Sequence, residues 1–171
     1  MNFKILYVLV GCIASGKSSY CKNAAKAGFI IINDDSIVNM CHADDYTLYD
    51  KRLKILYKSI EHTMLGTSLC LGKPIIIDRG LDVSIKGRQR WLALAKSYDV
   101  ECHAIVLPRS TPEVHAERRT NSDARGYNYA YWLNVAKHHD SIYNVPAIEE
   151  GFNKVHSISF DEIIAGRVIN G

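Results

Sequence analysis

Between an apolar run, Phe3–Val10, and a helix-compatible stretch beginning at Ser19, eight residues read Gly11-Cys12-Ile13-Ala14-Ser15-Gly16-Lys17-Ser18. This G-x-x-x-x-G-K-S spacing constrains the chain more than any other feature. Its glycines let successive backbone N–H groups turn toward one concave point, and a helix leaving the loop adds positive potential at its N-terminus. Such a loop needs a buried strand to deliver it and a helix to carry the chain away. The run before it is continuous rather than alternating, the pattern of a strand covered on both faces.

The remaining sequence continues that alternation. Phe29–Asn33, Ile75–Asp78 and Cys102–Leu107 predict further buried strands, and Lys154–Ile158 an edge strand. Between them the periodicity predicts helices over Ser19–Ala27, closed by Gly28, then Asp34–Cys41 and a long one from about Thr47 to Leu71. Others are expected over Ser84–Tyr98, from Ser110-Thr111-Pro112-Glu113 onward, over Tyr129–His139 and over Asp161–Val168. The expected fold class is α/β, a parallel sheet with helices on both faces. With 171 residues and no repeat or linker, one domain spanning 1–171 is expected.

Composition narrows the class. A 47% hydrophobic and 23% charged chain with four prolines is neither disordered nor fibrous. No apolar run approaches the ~20 residues of a membrane span. The opening Met1–Val10 lacks a small-residue cleavage site, so no signal peptide is expected. Five cysteines without a C-x-x-C pair fit a reducing, cytoplasmic setting. The formal net charge of +3 permits an anionic partner without demanding one.

The chemistry expected of the loop is specific. Gly11, Ala14, Ser15, Gly16, Ser18 and Ser19 would cradle the phosphates of ATP, Lys17 would reach the β- and γ-phosphates, and the Ser18 hydroxyl would bind Mg²⁺. Other ligands of an open α/β sheet lie beyond the carboxyl ends of its strands. There, Asn33-Asp34-Asp35 follows the second strand; one carboxylate is read as a general base, Asp35 being favoured, and the other as facing the substrate or capping the helix. Asp78 ends the third strand as a candidate for Mg²⁺ or the acceptor, the alternative being a turn aspartate. Arg79 beside it suits a substrate anion or a surface pair.

Arg118, Arg119 and Arg125, in the polar stretch Arg118–Gly126, suit a lid of about residues 112–132 that neutralises charge on a transferring phosphoryl group; a solvated charge run is the alternative. Lys86, Arg88 and Arg90 form a second basic cluster, with Arg88 a candidate for a phosphate-bearing substrate and a solvated helix face the alternative. Tyr127, Tyr129, Tyr131 and Trp132 either stack a base or pack a core or hinge. His138-His139-Asp140 has no second metal-spaced cluster, so no zinc site is expected.

In this order, Gly11-Cys12…Gly16-Lys17-Ser18, Gly28-Phe29…Asn33-Asp34-Asp35, Ile77-Asp78 and Arg118…Arg125-Gly126 resemble the P-loop kinases of the polynucleotide 5′-hydroxyl kinase-like group, within the AAA and zeta-toxin-like kinases. The similarity runs from about Lys4 to Trp132. It implies a P-loop NTPase fold with core strand order 2-3-1-4, extendable by a fifth strand, and a helical lid. It implies Asp35 as general base, Arg125 as the lid arginine carrying transition-state charge, and Arg118 or Arg119 as the earlier lid arginine. Two departures stand out: Val38 occupies the position where the family holds an acceptor phosphate with arginine, and Ile13-Ala14 replaces the usual Pro-Gly. Asp78-Arg79 is similar to the Asp-Arg dipeptide of deoxynucleoside and thymidylate kinases.

The leading expectation is therefore an ATP·Mg²⁺-dependent kinase acting on a hydroxyl of a nucleic acid, DNA or RNA, either a 5′-OH or a hydroxymethyl group on a modified pyrimidine in DNA. A kinase of a free nucleoside, nucleotide or other small metabolite is the second reading, and a non-catalytic ATP-binding module the third. Nothing in the sequence indicates the oligomeric state.

Overall fold

The computed structural model describes residues 4–123 and 125–169. Phe3, the expected start of the first strand, and Ala124, within the expected lid, lie outside the described residues. Strands β1 (Ile5–Val10), β2 (Ile30–Asn33), β3 (Ile75–Asp78), β4 (Glu101–Val106) and β5 (Lys154–Ser157) form one parallel sheet in the order β2-β3-β1-β4-β5. This is the α/β, P-loop NTPase arrangement the sequence predicts, with the fifth strand present at the edge.

The apolar runs explain the layering. Every residue of β1 is buried. Leu6, Val8 and Val10 face one layer with Ile75, Ile77, Tyr57, Leu65 and Trp91, while Ile5, Tyr7 and Leu9 face the other with Tyr20, Ile76, Ile105 and Ile163. Helix α1 (Lys17–Lys26) and the short α7 (Phe160–Ile164) cover the second face; α2 (Asp34–Cys41), α3 (Lys54–Cys70) and α4 (Ile85–Ser97) cover the first. Each aliphatic side chain removed from water in these layers contributes about 1.5–3 kcal/mol. Helices α5 (Pro112–Ser122) and α6 (Tyr129–Ser141) pack on each other around Ala116, Trp132 and Ala136 in the region expected to form a lid.

Strand register positions the chemistry. β2 and β3 end together, Asn33 opposite Asp78, and Leu9 of β1 lies opposite Asp78 on the other side. The carboxyl ends of the three strands and the N-termini of α1 and α2 therefore meet at one rim.

Two elements differ in extent from the expectations, and a third, α5, is entered within the expected stretch. The long helix begins at Lys54 rather than Thr47, because two aspartates stop the chain short of it. Asp45 Oδ1 accepts from the Thr47 N–H at 3.0 Å and Asp50 Oδ1 from the Arg52 N–H at 2.8 Å, capping one-turn 3-10 helices at Tyr46–Leu48 and Lys51–Leu53. The cap of α5 is Thr111, whose hydroxyl accepts from the Val114 N–H at 3.4 Å, with Pro112 in the first turn. The last helix stops at Ile164, where Gly166 at φ +77° turns the chain. Among the described residues no helix is long and apolar enough to cross a membrane.

Candidate active site

The loop between β1 and α1 is built around its own serine. A Cβ on Gly11 would lie 2.3 Å from Ser15 Oγ, so only glycine lets the loop close. Ala14 and Gly16 take left-handed conformations, φ +50° and +98°, and Gly16 is the residue from which α1 departs. Two such residues in quick succession turn backbone N–H groups inward, the geometry of an anion-binding nest. Lys17 Nζ donates to the Gly11 and Cys12 carbonyls, each at 2.7 Å, which holds the ammonium across the mouth of the loop. Burial pushes this ammonium down, with Asp78 opposing.

The loop opens on a cleft of about 920 Å³ lined by Ala14, Gly16, Lys17, Ser18 and Ser19 on one wall, Asp34, Asp35 and Asp78 on the rim, and Arg118, Arg119 and Arg125 opposite. Ser15 Oγ is buried and has no hydrogen-bond partner among the described residues. The concave backbone and the Lys17 ammonium fit a nucleotide phosphate chain, whereas Ser15 is packed inside the loop against Gly11 and its side chain does not line the cleft. A hydroxyl and a carboxylate, Ser18 and Asp78, lining the same cleft are the hard oxygen donors that Mg²⁺ selects.

On the rim each carboxylate has its own partner. Asp78, buried, accepts from Asn33 Nδ2 at 3.1 Å; burial pushes its carboxyl up and Lys17 opposes. Neither aspartate of α2 caps the helix: that cap is Asn33, whose side chain accepts from the Ser36 N–H at 2.8 Å. Both Asp34 and Asp35 are thus left in the first turn with their side chains free to pair elsewhere. Asp34 Oδ2 accepts from Arg79 Nε at 2.8 Å, and Asp35 Oδ2 from Arg125 Nη2 at 2.8 Å. Burial, then the neighbouring Asp35 carboxylate, pushes the Tyr46 phenol up to about 12.

The arginines of α5, Arg118 and Arg119, and Arg125 after it are held by aromatic rings. Arg118 lies 4.6 Å over Phe160, Arg119 4.7 Å over Trp132 and Arg125 4.1 Å over Tyr46. Tyr127 and Tyr131 stack on each other at 4.2 Å with Trp132 edge-on to both; Tyr127, Tyr129 and Tyr131 are exposed, and Trp132 alone of the set lines the cleft. His139 also lines the cleft; burial, then Lys17, drives its imidazole down to about 4, so it is neutral at pH 7.

Asp34 and Asp35 divide this cleft from a second cavity of about 250 Å³, bounded by Val38, Tyr46, Tyr49, Tyr57, Lys54, Lys58, Arg79 and Arg90. Its stacked tyrosines, Tyr46–Tyr49 and Tyr49–Tyr57, escape a sequence reading that assigns Tyr49 and Tyr57 to one amphipathic helix and leaves Tyr46 outside it. The signal was present in Asp45 and Asp50, which restart the chain twice. Val38 is buried in α2.

Arg88 requires a correction as a substrate residue. It is fully buried, donates through Nε and Nη2 to Glu150 at 2.9 and 2.6 Å, and through Nη1 to the Asp82 and Asn144 carbonyls at 3.0 Å. Its guanidinium is turned into the protein, and the side chain lines neither cavity. Arg90 is likewise no solvated residue: it stacks on Trp91 at 4.0 Å and pairs with Glu61. Asp82, which sequence reading passed over, is fully buried and accepts from Trp91 Nε1 at 3.1 Å; burial pushes its carboxyl up to about 7, with Arg79 opposing.

Comparison with known proteins bears on the same residues. No curated protein sequence matches the chain. The fold is similar to that of a candidate kinase from Chloroflexus aurantiacus (TM-score 0.66, 15% identity, covering 99% of this chain and 91% of that one). It is also similar to a chain of the Pnkp1/Rnl/Hen1 RNA repair complex (TM-score 0.65, 17% identity, 83% of this chain but 47% of that one). A third likeness is to a gluconokinase from Sinorhizobium meliloti (TM-score 0.50, 14% identity, 96% and 91% covered). At these identities the likeness is one of fold. A family model described as an AAA domain matches residues 6–131, from the first strand through both walls of the cleft, and the chain belongs to that family.

Proposed function

We propose that this chain is an ATP-dependent kinase that transfers the γ-phosphoryl group to a hydroxyl of a nucleic acid or nucleotide-like acceptor. The observation that carries the reading is the position of Asp35: it lies where the phosphate-binding cleft meets the tyrosine-walled cavity, with the lid arginine Arg125 at 2.8 Å. The likeness to a candidate kinase, to a chain of an RNA repair complex and to a gluconokinase supports a phosphotransferase without separating the acceptors.

On this reading Gly16, Ser18, Ser19 and the backbone of Ala14 and Ser15 bind the phosphates, and Lys17 leaves its two carbonyl partners for the β- and γ-oxygens. Ser18 and Asp78 would hold Mg²⁺, which supplies charge neutralisation between the phosphates. Asp35 accepts the hydroxyl proton as the acceptor oxygen bonds to the γ-phosphorus and the bond to the β,γ-bridging oxygen breaks, releasing ADP. Arg125, with Arg118 and Arg119, balances the charge spread over the transferring group. Asp34 fixes Arg79 beside the acceptor.

A small-molecule acceptor is the second reading, favoured by the size of the second cavity: about 250 Å³ is below the ~300–1,000 Å³ of sites for drug-sized ligands and fits one ring-sized group. The test is transfer of labelled γ-phosphate from ATP to 5′-OH oligonucleotides, hydroxymethylpyrimidine DNA, nucleosides and sugars. Label on an oligonucleotide supports the proposal, label on a nucleoside or a sugar alone supports the second reading, and label on phosphate alone refutes both.

A further inference from the structure

Among the described residues three histidines are buried, and the fold supplies partners for two of them. His103 meets Glu101 through Nε2 at 2.7 Å and His156 through Nδ1 at 3.3 Å. His115 Nε2 accepts from the Ser110 N–H at 3.1 Å. His139, only 6% exposed, has no hydrogen bond at either ring nitrogen among the described residues, and its Nδ1 is closed off from water. It is also the one of the three that lines the phosphate cleft.

The ring is placed from two sides. His139 lies in the last turn of α6, and its Cε1–Nε2 edge meets Gly80, two residues past Asp78. A Cβ on Gly80 would come within 3.3 Å of Cε1 and 3.6 Å of Nε2, so a glycine there leaves the ring its room. Gly80 lines the cleft together with Lys17 and Asp78. The imidazole therefore stands on the cleft wall by the end of β3, on the side where Asp34 and Asp35 meet the acceptor cavity.

Its charge suits a donor rather than a second cation. A helix C-terminus favours the imidazolium, but burial outweighs it and Lys17 adds repulsion, so the ring stays neutral. A neutral imidazole carries one N–H and one lone pair. An anionic oxygen arriving at the wall draws the proton to Nε2 and leaves the buried Nδ1 as the lone pair. A polar ring held out of water without a partner is costly, which favours a ligand that supplies one.

Resting on ATP as the ligand of the cleft, as in the kinase reading above, we infer that His139 belongs to the phosphate site and that its Nε2–H donates to an oxygen of the γ-phosphoryl group. The ring keeps its proton throughout: it stabilises charge on the transferring group and is neither acid nor base. Because the contact is to the terminal phosphate, it separates ATP from ADP.

Calorimetric titration with ADP and with the non-hydrolysable analogue AMP-PNP, each with Mg²⁺, tests this. His139→Ala is expected to weaken AMP-PNP about tenfold and ADP less than about twofold, the loss of one hydrogen bond to a charged group. Its kcat for transfer should fall about 10²-fold, as when one donor to a developing oxyanion is removed. His139→Gln, which restores an amide donor, should recover part of both. The wild-type protein gives a second readout that survives a misfolded alanine variant. In long-range ¹H–¹⁵N spectra of its imidazoles, with His139 assigned by its loss in His139→Gln, Nε2 should carry the proton and move further with AMP-PNP than with ADP. Equal changes in affinity for the two nucleotides, or His139 signals that respond alike to both, overturn the inference, and retained transfer to a hydroxyl then leaves the kinase reading in place. Selective loss of AMP-PNP binding without transfer to any hydroxyl supports the inference and refutes the kinase reading.

Discussion

Arg125 and Asp35, ninety residues apart in the chain, share a 2.8 Å hydrogen bond across the mouth of the cleft, with Tyr46 lying flat beneath the guanidinium at 4.1 Å. Both side chains are partly exposed, so the pair is worth at most ~1 kcal/mol. An interaction that weak exchanges readily for a phosphate, which would release the Asp35 carboxylate to accept a proton.

Asp35→Asn is therefore expected to lower kcat by about 10²–10⁴-fold, the usual contribution of a positioned general base. ATP affinity by calorimetry should stay within about threefold, because Asp35 is on the acceptor side of the loop. Turnover near the wild-type value would transfer the base role to Asp34.

Lys17→Ala should weaken ATP binding about 10–100-fold, the loss of one or more charge-assisted hydrogen bonds at ~1.5–3 kcal/mol each. Calorimetric titration reads it directly. Unchanged affinity would mean that the ammonium remains on the Gly11 and Cys12 carbonyls when nucleotide is bound.

Arg88→Ala should cost about 3–5 kcal/mol of stability, because it leaves Glu150 buried without its partner. Denaturant unfolding measures this, and Glu150→Gln combined with Arg88→Ala should recover part of the loss. A stable Arg88→Ala protein with a raised acceptor KM would return Arg88 to the substrate.

Asp82 makes stability depend on pH in an unusual direction. Its folded-state value, raised to about 7, exceeds the ordinary carboxylate value, so between about pH 4 and 7 the folded protein holds a proton that the unfolded chain has released. Its contribution is full below about pH 4 and is lost as pH rises through 7. His139, lowered to about 4, works oppositely: its contribution is full above about pH 6.5 and is lost as pH falls toward 4. Asp82→Asn should raise stability at pH 8 relative to pH 4.5 by a few kcal/mol compared with wild type, since each tenfold change in proton affinity is worth ~1.4 kcal/mol. Thermal melts across that range would refute this if the two proteins showed the same pH slope.

The sheet was legible in the sequence because its strands are continuous apolar runs, and the loop because its spacing has a single physical use. Asp34 and Asp35 were legible as rim carboxylates, since a polar triplet directly after a strand must emerge at its end. Which residue caps α2 was not, because Asn33 and both aspartates have suitable side chains and only backbone direction selects Asn33. Tyr49 was misassigned for a related reason: its spacing from Leu53, Leu56 and Tyr57 satisfies helical periodicity even though capped turns break the helix before Lys54.

Local chemistry thus dictated the phosphate loop, the buried strands and the acids at their ends, all features whose causes lie within a few neighbouring residues. Partnership over long separations was decided by the fold: Arg125 with Asp35, Arg79 with Asp34, and Arg88 with Glu150. An arginine's role depends on the carboxylate that reaches it first, and its distance from that carboxylate is a property of how helices stack on a sheet.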